Sequence, residues 1–413
     1  MKIIMSHPTS NGASRAVADS FLKAGMLTQF HTAVATFPGS LLDSVGAVSF
    51  LAEIRRRRFN AALRPAMRTW PWLEAGRIIA GKLGYTRLTR HETGVFSVDA
   101  VYRDIDRRVA ATLPTMSHQG VEAIYAYEDG AEFSFRQAKQ LGITCLYDLP
   151  IGYWRAARRL MQAEQERWPA WASTLTGLVD SAEKLERKDE ELRLADRIFV
   201  ASKFTADTLR EFPGPLAPVE ILPYGFPPVG VSRTYEPLNN RPLKLLFVGG
   251  LSQRKGIADL FAAVDALGSR VSLTVVGRKA TEDCEALNNA LTKHRWIPSL
   301  PHESVLALMR EHDVLVFPSL FEGFGLVITE AMSQGTPVIT TERTAGPDLI
   351  RHGENGWLIE AGSTLALQNA IEELLHHPDS VAANGRAAMV SASNRPWETY
   401  EQELAVAVSR LLT

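Results

Sequence analysis

Twice along this chain, short runs of β-forming residues alternate with helical stretches, and a segment crowded with Pro223, Gly225, Pro227, Pro228, Gly230 and Pro237 separates the two series. Strands joined by helix-length crossovers pair in parallel, and a parallel sheet needs helices on both faces. The first series offers strands at Lys2 to Met5, Thr32 to Thr36, Ala123 to Tyr127, Thr144 to Tyr147, Arg197 to Ala201 and Val219 to Leu222. The second offers Leu243 to Val248, Val271 to Val276, His294 to Pro298, Val314 to Phe317, Thr336 to Thr340 and Trp357 to Ile359. The proline- and glycine-rich segment has the composition of a linker between compact halves. The expected fold class is therefore α/β, with two facing Rossmann-like doubly wound domains over residues 1–225 and 226–395. A helix restarted at Pro396 is expected to cross back and complete the first domain with residues 396–413.

A chain of 413 residues has room for two or three domains. Its formal net charge of −1 gives no electrostatic case for nucleic acid. Cys145 and Cys284 are the only cysteines, which excludes a disulfide framework and a cysteine zinc site and fits a reducing compartment. Only three apolar residues lie between Lys2 and Ser6, too few for a signal-peptide core. No stretch approaches the roughly 18 apolar residues that span a bilayer, so the expected location is cytoplasmic.

Ligands of open α/β sheets gather at the carboxyl ends of strands, and the loops there nominate the site. After Phe317 the chain runs Pro318-Ser319-Leu320-Phe321-Glu322-Gly323-Phe324-Gly325-Leu326-Val327 into a short apolar helix carrying Glu330. Gly323 and Gly325 let backbone approach a bulky ligand, and the helix N–H groups suit a phosphate. Glu322 is expected at the mouth of a pocket and Glu330 deeper along the same side, both able to accept hydrogen bonds from sugar hydroxyls. The competing reading is a pair of solvated helix charges on an ordinary glycine turn. A second loop, Gly249-Gly250-Leu251-Ser252-Gln253-Arg254-Lys255-Gly256, brings glycine amides and two adjacent cations that suit a diphosphate. It lacks both the Walker ending and the dinucleotide glycine spacing.

In the first half the strand-end loops offer Asn11 and Gly12, then Glu128, then Asp148, as acceptor-side candidates, each competing with a role as helix cap or turn. The insert from Leu51 to Arg90 carries ten cations against two carboxylates, with Arg55 to Arg58 in a row and Phe59, Trp70, Trp72 and Tyr85 interleaved. That mixture suits an anionic membrane surface or a lipid-linked pyrophosphate, against the plainer reading of a solvated helical face with Trp70 and Trp72 in the core. Residues 153 to 195 read as helical, and the alternating charges of Ser181 to Leu194 read as an exposed face. Asp104-Ile105-Asp106 sits in a helical stretch rather than at a strand end, which argues against a metal pair.

Taken in order, these residues resemble retaining glycosyltransferases of the GT-B fold, glycosyltransferase family 4 (glycosyl transferases group 1). Glu322 and Glu330 match the family's E-x7-E element. Phe247-Val248-Gly249 through Lys255-Gly256, Gly346-Pro347-Asp348, and Asn355-Gly356-Trp357-Leu358-Ile359 match its neighbours, and Ala201 to Thr205 and Ile221 to Gly225 are similar to its late first-domain pattern. The resemblance implies hexose transfer with retention from a UDP- or GDP-sugar co-substrate to a glycan or lipid-linked acceptor, in surface or exopolysaccharide biosynthesis, with no other cofactor and no metal. By position, Glu322 would hold donor-sugar hydroxyls, Lys255 with Arg254 would stabilise the leaving diphosphate, and Glu330 would hold the ribose. Gly249, Gly250, Gly323 and the backbone of Phe324, Gly325, Leu326 and Val327 would lie near the diphosphate, with Gly277 and Arg278 near the nucleoside. Gly250 stands where many members have arginine, and Tyr147 where many have histidine. A nucleotide-sugar epimerase or hydrolase, and a non-catalytic sugar-nucleotide-binding subunit, remain the alternatives.

Overall fold

The structure is a computed structural model that describes residues 2–39, 57–239 and 241–411. Among them, seven strands make the first sheet: β1 Ile3–Ser6, β2 Leu27–Thr32, β3 Met67–Thr69, β4 Ala123–Tyr127, β5 Thr144–Leu149, β6 Arg197–Val200 and β7 Val219–Ile221, in the order β3-β2-β1-β4-β5-β6-β7. Six make the second: β8 Leu243–Val248, β9 Val271–Val276, β10 Arg295–Ile297, β11 Val314–Phe317, β12 Val338–Thr341 and β13 Trp357–Ile359, in the order β10-β9-β8-β11-β12-β13. Every pairing within them is parallel. The core strands are buried on both faces, as unbroken apolar runs such as Leu245-Leu246-Phe247 and Val314-Leu315-Val316-Phe317 require once helices cover each side.

Two elements depart from the expected strands. The second strand lies at Leu27–Thr32 rather than Thr32 to Thr36, because register with β1 selects the segment containing Phe30, which is fully buried. β3, three residues with two exposed, is an edge strand too short to carry a periodic signal.

Strand order reverses between β1 and β4 in the first sheet and between β8 and β11 in the second. The crevice at such a switch point is where doubly wound sheets bind ligands. In the first sheet it is bordered by the loops holding Asn11 and Gly12 and by Glu128. In the second it is bordered by the Gly249–Gly256 and Pro318–Gly325 loops.

The C-terminal helix Trp397–Leu411 crosses back as expected. It packs on helix Gly12–Lys23, with Ser20 Oγ donating to the Glu401 carbonyl (2.5 Å) and Lys23 ion-paired to Glu401. Tyr400, Leu404 and Val408 join the first sheet's core. The helix Trp154–Arg167 and the turn Pro169–Thr174 reach the other way: Arg167 makes a two-pronged ion pair with Asp259 of helix Ile257–Leu267 (2.7 and 2.6 Å), and Trp171 stacks on Phe261.

Candidate functional site

At the second switch point the two predicted loops lock together. The residues Gln253–Lys255 form one 3₁₀ turn capped by Ser252 and closed by Gly256 in the left-handed region (φ 68°). A Cβ at Gly256 would sit 2.1 Å from the Pro318 carbonyl oxygen, so only glycine lets the loops approach this closely. The Arg254 carbonyl accepts from Leu320 N (2.9 Å), which fixes the following loop. Arg254 Nη1 donates to the Phe321 carbonyl (2.6 Å) and lies 3.4 Å from Glu322 Oε2, and Lys255 Nζ is ion-paired to the same carboxylate oxygen. Lys255 also lies over the Phe317 ring, 4.8 Å from its centroid. Arg254 and Lys255, adjacent in the chain, therefore form one charge cluster with Glu322, more than sixty residues further on. Burial, and then Arg254 beside it, push the Lys255 ammonium well down from the usual lysine range, and Glu322 supplies the opposing charge.

Gly325 (φ 90°) starts helix Leu326–Ser333 from the left-handed region. Leu326 is exposed and Val327 half-buried, so the first turn of the helix borders solvent beside the charge cluster. Glu330 pairs with His302 (3.0 Å). Both carboxylates are partly buried, the Glu322 side chain 15% exposed and that of Glu330 22%; Lys255 and Arg254 hold the first, and the second meets an exposed histidine. Gly277 packs on Gly249, where a Cβ would meet the Gly249 carbonyl oxygen at 1.8 Å. Gly250 and Arg278 are exposed, and a Cβ at Gly250 would meet nothing within 4 Å.

Two predicted donor residues serve the junction of the halves instead. Gly323 gives its carbonyl to Ser202 Oγ (2.6 Å) and Thr205 Oγ1 (3.0 Å), and a Cβ there would meet the Pro150 carbonyl oxygen at 1.8 Å. The close approach that this glycine permits is thus to the first half of the chain. The Phe324 side chain is buried against Tyr224 (4.9 Å between centroids), leaving only its backbone for a ligand.

Of the acceptor-side candidates, Asn11 caps helix Gly12–Lys23 in a reciprocal pair with Ser14, the ordinary capping role. Gly12 is exposed at the start of that helix. Asp148 is enclosed, accepting from Tyr125 OH (2.6 Å), and burial pushes its carboxyl up to about 7. It points into the layer between sheet and C-terminal helix, out of reach of an acceptor. Glu128 alone opens on the cleft. It lies 3.6 Å from Lys188, and burial first, opposed by Lys188, pushes it up to about 7. With Trp154, Lys188, Met161, Arg254 and Phe321 it lines a cavity of about 340 Å³ between the halves.

Lys188 and Trp154 were not singled out by sequence. Helix Ala182–Leu194, expected as an exposed face, buries Lys184, Arg187, Lys188, Asp189 and Glu191. Glu191 accepts from the Asp129 and Ala131 amides (2.9 and 3.0 Å), and Asp189 from Tyr153 OH and Trp154 Nε1 (2.6 and 2.7 Å). Alternating charge has the same pattern whether it faces water or an internal network. Asp106 likewise accepts from the Phe133 and Ser134 amides (2.7 and 3.0 Å) and caps a helix. His91, Glu92 and Asp180 bring ligand atoms within 4.8 Å of one another, yet Asp180 already holds Lys184 and Lys188 (3.1 and 3.2 Å).

In the basic insert, Arg55 and Arg56 lie outside the described residues. Arg57 is buried in an ion pair with Glu74, and Trp70 and Trp72 are exposed rather than in the core. No helix among the described residues is long and apolar enough to cross a membrane.

Known proteins similar to this chain include glycosyltransferases. The glycogen synthase of Mycobacterium tuberculosis is 28% identical over 219 residues, covering 50% of this chain and 52% of that protein. The capsular polysaccharide biosynthesis glycosyltransferase CapM of Staphylococcus aureus is 32% identical over 178 residues, covering 40% and 47%. The chain thus spans about half the length of these curated relatives. Sucrose-phosphate synthase from Thermosynechococcus elongatus superposes with a TM-score of 0.66 at 18% identity, covering 100% of this chain and 99% of that one. Anabaena HepE in complex with UDP superposes with a TM-score of 0.63 at 17% identity, covering 99% and 100%. The family model described as glycosyl transferases group 1 matches residues 231–391, which include the whole Arg254, Lys255 and Glu322 cluster. Residues 231–391 of this chain thus match the glycosyl transferases group 1 family, and the chain as a whole has the GT-B fold.

Proposed function

We propose that this protein is a family 4 glycosyltransferase that moves a hexose from a UDP- or GDP-sugar to a glycan or lipid-linked acceptor, with retention of configuration, in surface or exopolysaccharide biosynthesis. Residues 1–225 with 396–413 form the acceptor side and 226–395 the donor side. The observation that carries the reading is the cleft itself: Glu128 of the first sheet and Arg254 of the second line one cavity, beside the Lys255 and Glu322 pair. The UDP bound to HepE, of the same fold, and the polysaccharide role of CapM support it.

In this reading the diphosphate takes Arg254 and Lys255 as its counter-charges in place of a metal ion, which frees Glu322 for the hydroxyls of the sugar. Glu330 holds the ribose. The amides at the start of helix Leu326–Ser333 face the diphosphate, and Gly249, Gly277 and Arg278 border the nucleoside. The acceptor hydroxyl attacks the anomeric carbon from the face the diphosphate leaves. The bond from that carbon to the phosphate oxygen breaks, the bond to the acceptor oxygen forms, and the hydroxyl proton passes to the departing phosphate oxygen. The protein works on the cytoplasmic side of the plasma membrane, peripherally attached.

The test incubates the protein with a panel of UDP- and GDP-sugars, with and without a bacterial lipid and polysaccharide extract, and follows nucleoside diphosphate release and anomeric configuration. Release that depends on the extract, with retained configuration in the product and a loss of about 10²-fold or more in Glu322→Gln, supports the reading. Free sugar or an epimer as the main product, or a fully active Glu322→Gln, contradicts it.

A further inference from the structure

Helix Trp72–Lys82 presents an apolar stripe outward as well as packing Leu73 and Ala80 inward. The two residues it buries are Glu74 and Ala80. Glu74 is fully enclosed and neutralised by Arg57 and by Arg77 (2.6 Å). Meanwhile Trp72 is 74% exposed, Ile79 52% and Leu83, the next residue on the same side, 60%. Positions 72, 79 and 83 recur at intervals of seven and four, so the three side chains form one stripe along the outward face. A helix of a globular protein ordinarily places such a stripe against the core. Here a salt-bridged carboxylate is buried beside Ala80 and the partly buried Leu73, and a separate apolar stripe is presented to the surroundings.

The chemistry around the stripe is cationic. Lys82, Arg87 and Arg90 follow it in an exposed segment. Directly before it, strand β3 and helix Val98–His118 enclose a second cavity of about 340 Å³ at the edge of the first sheet, lined by Arg68, Trp70, Arg108, His31, Thr112 and Thr115 among others. Among the described residues no carboxylate lines it. The Arg108 guanidinium lies 4.0 Å over the exposed Trp70 ring, and Asp104 accepts from its Nε (2.8 Å). Trp70 thus joins the guanidinium-lined cavity to the apolar stripe, two residues before Trp72. Aromatic and aliphatic groups flanked by cations match the boundary of a bilayer with anionic headgroups, where apolar side chains enter the acyl region and arginine holds phosphate.

We propose that this edge of the first domain is a membrane-docking face: Trp72, Ile79 and Leu83 enter the acyl boundary of an anionic bilayer while a lipid headgroup phosphate sits at the cavity lined by Arg68 and Arg108. The inference rests on the transferase reading for its purpose, presenting the cleft to a lipid-linked acceptor, and on the surface alone for its binding.

The experiment is flotation of the full chain with vesicles of phosphatidylcholine alone or mixed with phosphatidylglycerol. Wild type is expected to float with the mixed vesicles and not with the neutral ones. Combined Trp72→Ser, Ile79→Ser and Leu83→Ser should lower partitioning about tenfold or more, and Arg68→Gln with Arg108→Gln about fivefold for each cation removed. Melting curves with and without UDP and GDP accompany each variant; if the triple variant is unfolded, the arginine pair decides. Absence of wild-type flotation, equal flotation on neutral vesicles, or variants that float like wild type overturn the proposal. A wild-type dimer made monomeric by the triple variant, without vesicle binding, overturns it in favour of a contact between copies. Flotation as expected with no nucleotide response leaves the docking face standing and removes the transferase reading; the reverse removes only the docking face.

Discussion

At Glu322 one carboxylate oxygen faces both Lys255 and Arg254, so in the proposed reading a diphosphate has to compete with the protein's own ion pair. The exchange is favourable because a diphosphate brings more negative charge to two cations held where water screens them little. It also explains why Gly250 matters. Its position is exposed and sterically empty, one residue beyond Gly249 at the same crevice. Gly250→Arg should therefore fold with stability changed by no more than about 0.5 kcal/mol and bind UDP or GDP roughly tenfold more tightly, the effect of about one charge-assisted hydrogen bond. Isothermal titration beside a denaturant melt checks both halves; weaker binding by the folded variant would place the diphosphate away from this loop.

Among the elements, the Pro318–Gly325 loop has two tasks, presenting Glu322 on one side and docking Gly323 against Pro150 on the other. Gly323→Ala forces a Cβ against backbone, with no flexible side chain to yield. It should cost about 2 kcal/mol or more in urea unfolding and lower transfer although position 323 contributes no side chain to the chemistry; a neutral substitution would mean that the halves part easily here. Such double use explains what was legible in the sequence. β8, β9 and β11 fall within their expected bounds because each is rich in apolar and β-branched residues and stops at a breaker, Gly249, Gly277 or Pro318. Arg254, Lys255 and Glu322 could be nominated because they lie in glycine-bearing loops at the carboxyl ends of strands, where open α/β sheets bind ligands. Asp148 could not be placed, since successive residues of a strand face opposite layers and the sequence does not say which layer holds the cleft. The buried network on helix Ala182–Leu194 and the outward stripe on helix Trp72–Lys82 both invert the usual burial of charge and apolar groups, and only tertiary partners reveal them.

On the scale of the whole molecule, the halves are joined by several charged and aromatic contacts around the cleft. Arg167 reaches Asp259, the Lys203 amide donates to Asp348 (3.1 Å), and Arg395 Nη2 donates to the Pro223 carbonyl (2.6 Å). Tyr224 packs on Phe324, Trp397 and Tyr400, uniting linker, second domain and C-terminal helix. Asp148 lies beneath this cluster. Its carboxyl is raised to about 7 against an unfolded value near 4, so the folded state holds the extra proton between these values. That contribution is complete below about pH 4 and is lost as pH rises through 7. Asp148→Asn should therefore be less stable than wild type at pH 5, or equal to it, and should gain on it by a few kcal/mol at most by pH 8, as read by urea unfolding at both values; a difference independent of pH would show that Asp148 ionises normally.

The most direct measurement of the central claim is the melting temperature of the full chain against a panel of UDP- and GDP-sugars, in wild type and in Lys255→Ala. A ligand that binds only the native state raises the midpoint with concentration. The account predicts that one nucleotide series stabilises wild type in this way and that the shift collapses in Lys255→Ala while the unliganded variant stays folded. No response to any nucleotide sugar, or an undiminished response in the folded Lys255→Ala protein, would contradict it.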